Sequence, residues 1–125
     1  MLITVSGTIP ADLDAAVVAG QRPRADYRVL AERLGGDLVD VPAARAATGR
    51  TGAVIHRLAG TGALLAWYVL RHRRAYAAVL TDGEQVGLPY AALTRVFGRG
   101  TTRHVMIVHV LSTRSKRAML RWLRL

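Results

Sequence analysis

Cysteine is absent from the chain, and with it go disulfide frameworks, thiolate metal sites and thiol nucleophiles. The four histidines, His56, His72, His104 and His109, form no HExxH or other short ligand cluster, so their spacing offers no built-in metal site. No GxGxxG follows the first apolar run, which leaves a dinucleotide site of the usual kind unsupported. The start, MLITVSGTIP, carries neither a basic opening nor a cleavable apolar stretch, and a cytoplasmic location is the expectation. The most apolar segment, residues 58–70 between Arg57 and Arg71, falls short of the roughly 20 residues a spanning helix needs. A buried or interfacial helix is expected there.

Acidic residues are missing after Glu84, while Arg95, Arg99, Arg103, Arg114, Lys116, Arg117, Arg121 and Arg124 follow it. With a net charge of +10, such a one-signed end attracts polyanions: nucleic acid, an anionic membrane surface or phosphate-bearing small molecules. A second reading stands beside this one, a general bias toward Arg, which supplies all the basic residues but Lys116.

What is present suits a single domain. A chain of 125 residues can bury roughly two-thirds of its unfolded surface, and a 51% apolar content excludes a disordered chain. Strands are expected at residues 2–6, 37–41, 76–81 and 104–110, from short apolar runs, some alternating with polar residues and some continuous, closed by Gly, Pro or Asp. Helices are expected at residues 10–20, 25–34, 53–74, 85–97 and from 114 onward, with 43–52 a loop or weak helical turn. Strand and helix alternate, which argues for an α/β fold: a doubly wound parallel sheet of about four strands with helices on both faces. The strand order expected is 2-1-3-4, with the switch point beside the first strand. Residues 1–125 then form one Rossmann-like domain. Its outer edge beyond the fourth strand would be open, as in part of a longer protein or a subunit with a partner.

Ligands of such sheets sit outside the carboxyl ends of the strands, near the switch point. After the first strand comes Gly7, which either lets backbone amides approach a phosphate or makes the turn out of the strand. After the third come Asp82 and Glu84 around Gly83, either hydrogen-bonding a polyhydroxyl acceptor and serving as a general base, or capping the next helix. At the end of the fourth, His109 is either a core histidine or a cleft residue, with Ser112 and Arg114 beside it as donors for a phosphate or sugar. The last helix sets Arg114, Arg117, Arg121 and Arg124 on one face. It either lies on anionic lipid or packs its apolar side inward with the basic side in water.

Residues 26–35, the strand 37–41, the segment VLTDGEQVGLP at 79–89 and the run HVMIVHVL at 104–111 together resemble the amino-terminal domain of GT-B glycosyltransferases of the family 4 type. The resemblance implies a two-domain enzyme in which this half binds the acceptor and a carboxyl-terminal domain binds a nucleotide-sugar, the donor substrate, with no further cofactor. It places Gly7 near the donor phosphates and His109 near the reacting sugar, and it implies peripheral contact with anionic membranes. Because Ser6 and Thr8 flank Gly7, the paired glycine of that family is missing. Two rival readings remain: an Arg-rich α/β nucleic-acid-binding module, against which no aromatic stacking platform is evident, and a non-catalytic subunit of a split glycosyltransferase.

Overall fold

The structure of the protein is a computed structural model that describes residues 1–98, 100–108 and 114–123, of residues 114–116 the backbone alone. Its elements are β1 (Leu2–Thr4), α1 (Leu13–Val18), α2 (Asp26–Leu34), β2 (Asp37–Val39), α3 (Val41–His72), a 3-10 turn (Arg73–Ala75), β3 (Ala78–Asp82), α4 (Glu84–Phe97), β4 (Arg103–Ile107) and α5 (Arg114–Leu123). The four strands form one sheet in the order β2-β1-β3-β4, and every pairing is parallel. Ile3 stands level with Leu38 on one side and Leu80 on the other, and Leu80 is level with Val105. That is the order and direction expected from the sequence.

Side chains of a strand alternate between faces, so this register sorts the sheet into two surfaces. Leu2, Val39 and Val79 face α3 and α4, where Leu64, Leu65, Val69, Val86 and Tyr90 complete the main core. Each of those fully buried aliphatic side chains contributes roughly 1.5–3 kcal/mol of transfer free energy. Ile3 and Leu80 face the other way, against Leu30 and Ala31 of α2. Helices therefore flank both faces of the sheet, as in a generic Rossmann-like fold. α5 does not reach the sheet's centre. Its Leu123, Met119 and Leu120 pack on Leu88 and Ala91 of α4 and on Met106 of β4.

Several boundaries differ from expectation: β1 ends at Thr4 rather than at residue 6, the first helix spans Leu13–Val18 rather than 10–20, and β3 spans Ala78–Asp82 rather than 76–81. β2 ends at Val39 rather than at residue 41, because Asp40 caps a helix: its Oδ1 accepts the Ala43 N–H at 3.0 Å, and Pro42 sits in the first turn. Residues 43–52 are correspondingly helical and not a loop, since alanine-rich sequence propagates from that cap. The resulting α3 is three segments joined at Gly49 (φ 56°) and Gly60 (φ 81°), where the backbone leaves helical geometry. By length and composition alone the run Val41–Ala75 could cross a membrane, yet its last segment supplies the core residues Leu64 to Leu70.

Candidate functional site

The switch point lies between β1 and β3, whose chains leave the sheet toward opposite faces, into α1 and α2 from β1 and into α4 from β3. Their carboxyl ends are tied together. Ser6 Oγ donates to the Asp82 carbonyl oxygen at 2.9 Å, and the Asp82 N–H donates to Thr4 Oγ1 at 3.2 Å. The Gly83 N–H donates to the Ile107 carbonyl at 3.1 Å, adding the end of β4. The loop after β2 joins through Asp40, whose Oδ2 accepts the Ile9 N–H at 3.0 Å. Four strand ends thus form one rigid rim, the kind of support a binding site needs.

Two cavities open along this rim. The larger, about 470 Å³, lies on the α2 side and is lined by Asp82, Asp26, Tyr27, Leu30, Ile3 and Leu80. Asp82 shares a face with Leu80 by strand alternation, so its carboxylate belongs to this side. Asp26 and Tyr27 come from the first turn of α2, where an acid complements the helix dipole. The arrangement offers two carboxylates as acceptors for hydroxyl groups, above an apolar floor, with a phenol at the wall. The second cavity, about 330 Å³, lies on the other side between Ser6, Thr61, Gly62, Gln85 and Val86. His56 Nε2 stands 3.3 Å from Thr61 Oγ1 at its edge.

Of the residues singled out from the sequence, Asp82, Glu84 and Gly7 come to this rim. Asp82 lines the larger cavity. Glu84 is buried in the first turn of α4, on the other side of Gly83, so the two acids do not face one ligand together. Gly7 is exposed beside Ser6, and its carbonyl accepts the Val41 N–H at 3.1 Å. Its φ is not positive and a Cβ there would meet nothing within 4 Å, so the turn does not demand glycine. His109 and Ser112 lie outside the described residues, as does the side chain of Arg114, which opens α5.

Sequence reasoning missed Asp26 and Tyr27 as site residues. The available signal was topological: a helix that follows β1 and returns to β2 must begin at the carboxyl edge. It also passed over His104. That ring is partly buried, with Nε2 3.0 Å from Thr81 Oγ1 and its plane edge-on to Tyr90 at 4.7 Å. Burial pulls its pKa down to about 4, so it is neutral at pH 7. Burial also raises the Tyr90 phenol, partly countered by the charge of Arg73.

Among the described residues no group of three His, Asp or Glu side chains gathers to hold a metal ion. The apolar side of α5 is occupied by α4, so what that helix turns outward is Arg117, Arg121 and the half-exposed Trp122, over which Arg95 stacks at 5.2 Å. No family model matches the chain, and no curated protein or solved structure matches it either.

Proposed function

We propose that the chain is the acceptor-side, amino-terminal domain of a glycosyltransferase that uses a nucleotide-sugar, and that the acceptor occupies the cavity between Asp82, Asp26 and Tyr27. One observation carries this reading: a carboxylate on the last residue of a strand next to the switch point, facing a second carboxylate and an aromatic ring across a half-apolar cavity. A sugar or polyol matches that lining, because its hydroxyls donate to carboxylates while its C–H face lies on apolar and aromatic surface. Asp82 holds the acceptor hydroxyl and is the candidate base for its proton. Gly7 leaves open space where a donor phosphate would approach, and His109, Ser112 and Arg114 are the cleft residues expected from the sequence after β4. The donor-binding half is the expected partner, at a cytoplasmic site that includes peripheral membrane contact.

Titration of the chain with myo-inositol and methyl hexosides, followed through backbone amide resonances, tests the reading. Amides of Asp26, Tyr27 and Asp82 to Gln85 are expected to move together and saturably, and Asp82→Asn to abolish the response. Shifts confined to α5, or none with any polyol, would reject it. The basic outward side of α5 keeps one rival alive, a nucleic-acid module, which would show instead as binding to RNA or DNA that weakens steeply with salt.

A further inference from the structure

α3 and α4 both finish at the amino-terminal end of the sheet, away from Asp82, since each leads into the next parallel strand. α5 ends beside them, where Arg95 of α4 lies over the ring of Trp122 at 5.2 Å. Large apolar side chains stand in water here: Val96 is 70% exposed, Phe97 59% and Trp122 52%. The last turn of α4 joins them into one ridge. Thr94 is buried, so Val96, about 200° further round the helix, faces away from the sheet. Phe97 lies on the α3 side, bordering a shallow cavity with Trp67, Arg71 and Arg74, and Arg95 lies on the α5 side. Half-exposed, the two rings alone leave roughly 200 Å² of aromatic surface in water. Monomeric proteins rarely expose more than a few hundred Å² of contiguous apolar surface, and such a patch with a polar rim marks an interaction site.

The rim carries charge of one sign. Arg71, Arg74, Arg95 and Arg121 are all exposed, and among the described residues none of the four is ion-paired. No acid follows Glu84 in the sequence, and Glu84 sits at the other end of α4. Cations in a last helical turn complement the helix dipole, which accounts for part of this charge. The dipole does not account for Val96, Phe97 and Trp122 standing exposed among the guanidinium groups. Arg73 Nη2 donates to the Gly98 carbonyl at 3.3 Å and pins the end of α4 to the end of α3, so the ridge keeps its shape.

We propose that this ridge docks on an anionic membrane surface, with Val96, Phe97 and Trp122 entering the headgroup boundary while Arg71, Arg74, Arg95 and Arg121 meet lipid phosphates. Aromatic rings and arginine stems suit that boundary, where one end of a side chain is in apolar surroundings and the other is wet. Anionic lipid attracts every guanidinium group held near its surface. Single-stranded nucleic acid fits the ridge less well, because Arg95 already covers one face of the Trp122 ring and Val96 offers a base no stacking surface. The ridge gives the membrane contact a place at the far end of α4 from the acceptor cavity, so either site can fail its test without the other.

Sedimentation of the chain with phosphatidylcholine vesicles, with and without phosphatidylglycerol, provides the test. Binding is expected to require phosphatidylglycerol and to weaken with salt. Brominated lipid in the same vesicles should quench Trp122, and the quenched emission should be missing from Trp122→Phe, which keeps Trp67 as its sole indole. The double change Val96→Ser with Phe97→Ser touches exposed positions, and circular dichroism should show the fold retained. Loss of two apolar side chains from the headgroup boundary should weaken partition about tenfold or more. Arg95→Gln with Arg121→Gln should lower the preference for phosphatidylglycerol about tenfold. No sedimentation with anionic vesicles, an unquenched Trp122, or parent-like partition by either double variant overturns the proposal. Binding of RNA without binding of vesicles overturns it too, in favour of a nucleic-acid surface.

Discussion

At residue 104 a histidine ring lies between the Thr81 hydroxyl and the edge of Tyr90, and its place in the fold makes stability depend on pH. The ring titrates near 4 when folded against an ordinary 6.5, because burial disfavours its charged form. The unfolded chain therefore binds the extra proton first. The stability that His104 contributes is complete above about pH 6.5 and drains away as pH falls toward 4. Since part of the ring still meets water, the loss is on the order of 2 kcal/mol, short of the full linkage value. Urea midpoints measured between pH 7.5 and 4.5 should fall in the parent chain, and His104→Gln, which keeps a donor and an acceptor for Thr81, should fall less. Equal slopes in the two proteins would mean that the ring is charged in the fold.

Glycine explains both what the elements conceal and how they can be tested. Parallel strands were legible because short apolar runs, several rich in Val, Ile and Leu, alternate with helical spacings, and that alternation admits few topologies. Residues 43–52 were not, since Gly49 and Gly52 look like loop punctuation, whereas Gly49 bends a helix and Gly52 is buried within it. In the same way Asp82 was legible at the end of its strand, but Asp26 and Tyr27 were hidden, because local spacing says nothing about which strand end a helix start will meet. Gly62 and Gly7 separate packing from ligand access. A Cβ on Gly62 would press into the Gln85 carbonyl oxygen, where α3 crosses the first turn of α4, while one on Gly7 meets open space. Gly62→Ala should cost about 1–3 kcal/mol, an overpacking value, and Gly7→Ala less than about 0.5 kcal/mol in thermal or urea unfolding. A stable Gly62→Ala protein would refute the close crossing of these helices.

Over the whole molecule the two faces of the sheet are covered unequally. α3 and α4 bury one face, whereas on the other α2 covers Ile3 and Leu80 and leaves Val105 51% exposed. Val105 lies level with Leu80 on β4, which is the edge of the sheet among the described residues, so apolar surface and unpaired backbone coincide. Such an edge invites a second strand. A net charge of +10 opposes association of two copies, but that repulsion is screened within about 10 Å at 0.1 M salt and within about 3 Å at 1 M. Self-association is therefore expected to grow with added salt, the reverse of what a charge-driven contact would do. Val105→Lys places a cation on this edge strand at a half-exposed position, where it should change stability little and suppress the salt-induced association. Sedimentation velocity at low and high salt measures both. A parent chain that stays monomeric at high salt, or a Val105→Lys protein that associates as readily, would show that this face is shielded in solution.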